Sequence, residues 1–373
     1  MRLNFLTAKT HRRRGILTKG FLRASAPLRF EIPFIFSVLA ILAGCAKETP
    51  VYHDQSFVFG TMVEVTIAGE EPARARELAG KVLADFDYLH RTLHAWEPGS
   101  LSRMNAVFAQ SPSRAAVAPG LVAIIQDAAR FSEMSGGLFN PAIGKLIKLW
   151  GFQGDEFTPQ RPDPSEIKAL VQAHPGMADI VFEGIQFYSK NPAVQLDLGG
   201  YAKGYALDLA VEYLRAQQVK GALINIGGNI IAIGSRGGQP WRVGVQHPRK
   251  AGAIASLELH DGEAIGTSGD YQRYFELDGK RYCHIIDPRT GYPAQGVQAV
   301  TVLITRGNNA GTLSDVASKP AFIAGVKGWR AAAKSMGAEN AMLIDGHGEV
   351  YLTASMKKRL EFQEKGLVIH EVP

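Results

Sequence analysis

The sequence predicts an α+β fold, and three observations carry the prediction. In a chain of 373 residues, 46% hydrophobic against 20% charged residues supplies a large core and excludes a disordered or collagenous class. Apolar residues at helical spacing dominate the first part of the chain. Short β-rich runs bounded by turn residues dominate the second, with hairpins more evident than a regular strand–helix–strand alternation. No repeat of solenoid length and no long low-complexity segment interrupts the pattern.

Residues 1–44 carry eight Lys/Arg against the single acid Glu31, then the apolar run Ile32–Ala43, then Gly44-Cys45. This is the order of a secretory signal: charged segment, apolar segment, small residues before cleavage. A run of twelve residues is too short to cross a bilayer, which takes about 20. Leu42-Ala43-Gly44-Cys45 resembles the bacterial lipobox. That resemblance implies a diacylated Cys45 as the mature N-terminus, holding the protein at a membrane by its lipid. Only Cys283 then remains, so no intramolecular disulfide is expected. The leader also accounts for the formal charge of +6, because it carries +7 and leaves residues 45–373 at −1. The basic patch of a nucleic-acid binder is therefore missing, and no nucleic-acid partner is expected.

Residues 45–55 read as a tether, 56–365 as the folded domain and 366–373 as a C-terminal tail. Ser56–Gly69 is rich in β-branched and aromatic residues and predicts a strand. Ala75, Leu78, Val82, Leu83, Phe86, Leu89 and Leu93 recur at helical spacing and predict a helix over 71–94. Further helices are predicted over 119–135, 140–149, 164–174, 200–218 and 313–336. Strands are predicted over 180–182, 194–198, 222–226, 241–246, 254–259, 271–277, 281–286, 297–304, 341–344 and 350–353.

The densest chemical signal runs from Gln195 to Asp208, where a strand ends at Gly199-Gly200 and a helix begins. Free N–H groups and the positive end of the helix dipole converge there, a geometry that binds phosphate. Lys203 adds a point charge, and the missing Cβ atoms let a ligand approach the backbone. The spacing fits neither a dinucleotide fingerprint nor a Walker A loop. A plain tight turn entering a helix explains the segment equally well. Asp287-Pro-Arg-Thr-Gly291 is a strong turn sequence, with His284 just before it; alone, that histidine reads more readily as structural than as a base. Ala264–Tyr274 reads as a small polar loop between two strands. Its Gly-Thr-Ser-Gly is one residue short of a nucleophile elbow, so a hydrolase triad is not supported. No His-Glu-x-x-His or paired-cysteine zinc spacing occurs, although Asp315 at a helix start is well placed for a metal.

Nine segments, in order, are similar to the ApbE family of FAD:protein FMN transferases. They are Phe59–Met62, Trp96–Asn105, Ser135–Phe139, Leu149–Phe152, Leu196–Gly204, Asn225–Gly228, Thr267–Tyr271, His284–Gly291 and Ser314–Ser318. The resemblance implies an exported, often lipid-anchored protein with antiparallel sheets and packed helices related to a duplicated T-fold. It implies a transferase of a phosphorus-containing group that takes FAD as substrate and uses Mg2+. A Thr or Ser hydroxyl of an exported redox protein attacks the FMN-side phosphorus, AMP leaves and the acceptor is flavinylated. By position, Asp197 and Lys203 would contact FAD, while Phe59, Trp96, Leu138, Phe139, Asn140 and Ile286 would line the flavin site. Gly200 and Asp315 would ligate magnesium, with Ser318 or water completing the shell, and His284 would act as base.

Two positions depart from the family pattern: Asn140 stands for an aspartate, and Lys319 stands where the family has a metal-ligating threonine. An ammonium has no lone pair for a cation. Lys319 could instead stand in part for the metal against the diphosphate. The expected location is the cell envelope, facing the periplasm, with Ala46 after the cysteine favouring the outer membrane. Rival readings are an FAD pyrophosphatase without a protein acceptor and a periplasmic FAD-binding protein with impaired chemistry.

Overall fold

β-Branched and aromatic residues from Val51 to Ala68 form a hairpin of strands β1 (Val51–Val58) and β2 (Thr61–Ala68). Its two-residue turn, Phe59-Gly60, has φ of 56° and 67°, the left-handed pair that matches the twist of a tight hairpin. The computed structural model describes residues 49–372 except Val117, Asp155 and Arg306. Cys45 and the leader 1–44 lie outside the described residues.

The chain continues through α1 (Pro72–Leu93), α2 (Ser100–Ala109), β3 (Ala115–Ala116), α3 (Pro119–Met134), α4 (Gly144–Leu149) and α5 (Pro164–Gln172). Next come β4 (Ile180–Glu183), β5 (Gln186–Ser189), α6 (Ala202–Ala216), β6 (Gly221–Ile226), β7 (Asn229–Gly234), β8 (Trp241–Gln246), β9 (Ala253–Leu259) and β10 (Ala264–Gly269). The remainder is β11 (Tyr274–Leu277), β12 (Lys280–Cys283), β13 (Val297–Ile304), α7 (Ala310–Ser335), β14 (Asn340–Asp345), β15 (Val350–Thr353), α8 (Ala354–Lys357), β16 (Glu361–Phe362) and β17 (Ile369–Val372). The fold class is α+β, as the sequence predicts.

Nine strands form one sheet in the order β1-β2-β6-β7-β10-β13-β14-β15-β17. Every pairing is antiparallel except β15 with β17. Alternation along β7 explains the layering: Ile231 and Ile233 belong to the core under the helices, whereas Ile230 and Ala232 belong to the core under β8 and β9. The central strand β13 is buried along its whole length, as a strand covered on both faces must be. A third cluster, with Trp150, Phe275, Tyr282 and Ile286, anchors the segment after His284. There Trp150 and Phe275 each stack on Tyr282, and the Trp150 indole donates to the Gly291 carbonyl at 2.7 Å.

Helices α6 and α7 cross closely because glycines meet at the contact. A Cβ on Gly204 would lie 2.5 Å from the Gly311 carbonyl oxygen and 2.7 Å from Asp315 Cβ. Each helix also caps the other. Asp208 of α6 accepts from the Gly311 N–H at 2.7 Å and from the Thr312 N–H and hydroxyl at 2.8 and 2.6 Å. Asp315 of α7 accepts from the Gly204 N–H in the first turn of α6 at 2.9 Å. First-turn N–H groups have no partner inside their own helix, so both carboxylates answer a need that the helices create.

Several expectations need correction. The strand expected over 56–69 is two strands, and residues 51–55 of the expected tether belong to β1. The expected tail contributes β17, paired to β15. Helix α4 starts only at Gly144, and residues 194–198 are irregular backbone bridged to Ile143 at Gln195. The expected polar loop 264–274 begins with β10, whose small residues let α7 approach: a Cβ on Gly266 would stand 2.3 Å from the Ser314 carbonyl oxygen. Helix α2 and strands β5 and β7 lie outside the segments expected from the sequence. Among the described residues, no helix is long and apolar enough to cross a membrane.

The Gly204 contact yields a test. Gly204→Ala forces α6 and α7 apart and is expected to cost about 3 kcal/mol by overpacking, read as a lower urea midpoint at unchanged m. An unchanged midpoint would show that the helices do not meet as described.

Candidate functional site

The chain reverses at Gly199-Gly200 beside a cleft of about 920 Å³. Its wall includes Phe59, Trp96, Leu138, Phe139, Asn140, Asp197, Gly200, Lys203, His284, Ile286, Asp315 and Lys319. Every sequence-predicted site residue in the described range except Ser318 therefore meets in one place.

The aromatic side is held by the fold rather than by a ligand. Phe59 sits at a left-handed turn position that is unusual for a bulky residue, and its ring packs edge-on to His90 at 5.5 Å. The Trp96 indole donates to Asp197 Oδ2 at 3.2 Å, while Asp197 Oδ1 accepts the Gly199 N–H at 2.8 Å. One carboxylate thus couples the aromatic wall to the double-glycine corner. Asn140 donates to the Pro175 carbonyl at 2.9 Å and accepts from the Ala142 N–H at 3.0 Å. Both polar ends brace the loop, and an aspartate could not make the first of these bonds.

The polar side carries two ammonium groups. Lys203 Nζ lies 3.3 Å from the Gly199 carbonyl. Lys319 Nζ donates to Asp315 Oδ1 at 2.5 Å and to the Asp315 carbonyl at 2.7 Å. Burial pushes the Asp315 carboxyl up, but the Lys319 and Lys203 charges and the bonds from Lys319 and Gly204 hold it below the ordinary carboxylate range. Burial lowers the Lys319 ammonium below the usual lysine value, against the pull of Asp315.

His284 lies on the same wall. Its Nδ1 is 3.2 Å from the Arg273 carbonyl, which can only accept, so Nδ1 carries the proton and Nε2 the lone pair. Burial first, then the charges of Arg273, Lys203 and Lys319, push its pKa down to about 3. The imidazole is therefore neutral at ordinary pH.

The residues present do not fit the magnesium that the resemblance implies. The Ser318 hydroxyl is buried, donates to the Asp315 carbonyl at 2.9 Å and lies 2.7 Å from Ser268 Oγ, so it does not join the cleft wall. Asp315 spends Oδ2 on Gly204 and Oδ1 on Lys319. A divalent ion about 4 Å from the Lys319 ammonium would meet a repulsion of about 8 kcal/mol at an effective dielectric of about 20. Among the described residues, no group of three or more His, Cys, Asp or Glu is placed to hold a metal. Of the expected ligand set, Asp315 and Ser318 thus have their side-chain oxygens engaged within the chain.

Sequence reasoning missed three contributors. Asp208 lies in the motif, but nothing local marks it as the cap of a helix a hundred residues away; burial raises its carboxyl to about 6 against the pull of the Thr312 and Gly311 bonds. Arg273 supplies the carbonyl that orients His284. Thr267 lines the cleft from β10 and bonds to Thr301 at 3.0 Å.

The chain matches the ApbE family over residues 59–343. A Rhodobacter capsulatus protein named FAD:protein FMN transferase is 40% identical over 332 residues, which is 87% of this chain and 62% of that protein. A Treponema pallidum protein of the same name is 31% identical, covering 78% of this chain and 85% of its own. The chain spans only about three fifths of the length of the R. capsulatus relative and 56% of one Klebsiella pneumoniae relative. Among solved structures, the ApbE protein of Thermotoga maritima superposes with a TM-score of 0.75 at 30% identity, covering 85% of this chain and 100% of that one. The flavin transferase ApbE of Vibrio cholerae gives 0.70 at 27% identity, covering 83% and 99%.

The titration of His284 provides a check. Its folded pKa lies below the unfolded value of about 6.5, so between about pH 3 and 6.5 the unfolded chain binds a proton that the folded chain refuses. Stability from this group is present above that window and is lost as pH falls through it. Nitrogen-15 NMR at about pH 5 is expected to show a neutral imidazole protonated on Nδ1, and His284→Gln is expected to flatten the fall in stability below about pH 6.5. A cationic imidazole at that pH would contradict the account.

Proposed function

The chain belongs to the ApbE family, and from that premise we propose that it is an FAD:protein FMN transferase acting on an exported redox protein. One observation carries the reading: a single cleft joins an aromatic and apolar wall, a double-glycine corner flanked by two ammonium groups, and a neutral imidazole. Its volume of about 920 Å³ lies within the range for a large cofactor-sized ligand. Phe59, Trp96, Leu138, Phe139 and Ile286 supply apolar surface for an isoalloxazine ring, and Lys203 and Lys319 supply positive charge for a diphosphate.

In this reading a Thr or Ser hydroxyl of the acceptor attacks the FMN-side phosphorus. A bond forms from the hydroxyl oxygen to phosphorus, the bridging P–O bond breaks, and AMP leaves with the bond's electron pair. The hydroxyl proton passes to His284 Nε2, the ring nitrogen that has a lone pair. A pKa of about 3 makes a weak base in the free protein, yet part of that depression comes from Lys203 and Lys319. A diphosphate dianion against the same two ammonium groups offsets their pull and raises the imidazole's proton affinity. Substrate binding thus prepares the base. Asp197 and Asn140 act as positioning residues, one holding Trp96 and the corner, the other the loop after Phe139.

The same proposal places the protein in the cell envelope, with a lipid on Cys45 holding it at a membrane facing the periplasm, the outer membrane being favoured by Ala46. The support is the lipobox-like Leu42-Ala-Gly-Cys45.

The full chain, expressed with a flavin-accepting domain, tests both parts. Intact mass of the acceptor is expected to gain one FMN, and His284→Gln is expected to slow that gain by about 10²- to 10⁴-fold with smaller loss of FAD binding. Cys45→Ala is expected to release the protein from the membrane fraction with transfer intact. FAD cleaved to FMN and AMP without acceptor modification would favour the pyrophosphatase reading; a membrane-bound Cys45→Ala protein would rule out the lipid anchor.

A further inference from the structure

The space beside Asp315 is already filled by a cation of the chain's own. Lys319 reaches back one helical turn along α7 and places its ammonium 2.5 Å from Asp315 Oδ1 and 2.7 Å from the Asp315 carbonyl. Its stem is built into the corner rather than draped over it. A Cβ on Gly200 would stand 2.8 Å from Lys319 Cε and 3.0 Å from Cδ, so glycine at 200 lets the lysine stem lie directly against the corner backbone. The lysine side chain is 16% exposed and the Asp315 side chain 1%. Asp315 in turn is fixed by the Gly204 N–H at 2.9 Å, so the pair is tied to the first turn of α6.

We infer that Lys319 is the resident cation of the diphosphate site, so that this chain holds the FAD diphosphate with two ammonium groups and without a divalent metal. The inference rests on the flavin-transferase reading. An ammonium has three donors. Asp315 takes two of those on Lys319, and the third remains for a phosphate oxygen in the cleft that Lys319 lines. Lys203 gives one donor to Gly199 and keeps two. Two ammonium groups, one of them paired with Asp315, then donate to the two ionised oxygens of the diphosphate, flanked by Gly199, Gly200 and the start of α6. The other charged groups lining the cleft are Asp315, paired with Lys319, Asp197, engaged by Trp96 and Gly199, Glu64, which accepts from Asn225, Glu97, and Arg273, which donates to the Phe152 and Gly154 carbonyls. The charge that develops on departing AMP falls on Lys203 and Lys319. A divalent ion would compete with Lys319 for Oδ1 of Asp315, the one oxygen that Gly204 does not use.

The test measures FAD binding by titration calorimetry with the wild-type protein, once in excess chelator and once in millimolar magnesium. The two affinities are expected to agree within about twofold. Lys319→Thr, which restores a hydroxyl oxygen and removes the ammonium, is expected to weaken FAD binding in chelator by more than about tenfold and to recover it with magnesium. Manganese paramagnetic resonance on the wild-type protein with FAD gives a second reading that needs no variant, and is expected to show only free manganese. A wild-type affinity that rises more than about tenfold with magnesium, or a bound manganese signal in the FAD complex, overturns the inference. Absence of FAD binding in both buffers overturns the flavin reading itself, and the two failures are thereby distinguished.

Discussion

The mutual capping of α6 and α7 is the constraint on which the site depends. Asp208 in α6 closes the N-terminus of α7, and Asp315 in α7 closes that of α6. Neither bond can form unless the helices approach closely, and Gly204 and Gly311 permit that approach. Exchanging one carboxylate for another at each helix start is economical, because the orphan N–H groups lie at the crossing itself. The glycine corner, Lys203, Asp315 and Lys319 thereby become parts of one rigid unit.

Function follows from what that unit leaves over. Asp315 is consumed as a cap and as the counter-ion of Lys319, so its role is to hold an ammonium in place. Across the wall, burial first and then the charges of Arg273, Lys203 and Lys319 depress the proton affinity of His284. In the proposed reaction the two ammonium groups meet the diphosphate at the glycine corner, and burial together with the nearby cations keeps the imidazole neutral until that anion arrives. On that proposal Lys203 and Lys319 link recognition to base activation. The aromatic wall is tied to the same corner through Asp197, which bonds both the Trp96 indole and the Gly199 N–H.

Much of this was legible in the sequence. The strand-to-helix turn at Gly199-Gly200, Lys203 after it, and the order of the nine family-like segments all point to the cleft. What was not legible was set by distant neighbours. Residues 264–269 look like a loop because Gly-Thr-Ser-Gly has little β-propensity, yet they form a central strand whose small residues accommodate α7. Polar Tyr52, His53, Asp54 and Gln55 read as a tether because an edge strand exposes alternate residues, and only pairing with β2 identifies them. The pairing of 369–372 with β15 likewise depends on a register that no local pattern contains. Ser318, beside the position where the family has its metal-ligating threonine, is bonded to Ser268, a contact that no local pattern reveals. Lys319 departs visibly from the family pattern, whereas its bond to Asp315 and its place against Gly200 exist only in three dimensions.

The most direct test of the account is a crystal structure of the protein with FAD bound. The account predicts the diphosphate at the Gly199–Lys203 corner, a phosphate oxygen within hydrogen-bond distance of both Lys203 Nζ and Lys319 Nζ, the isoalloxazine ring against Trp96 and Phe139, and Lys319 still paired with Asp315. A metal ion on Asp315 with Lys319 displaced, or a flavin bound outside this cleft, would contradict it.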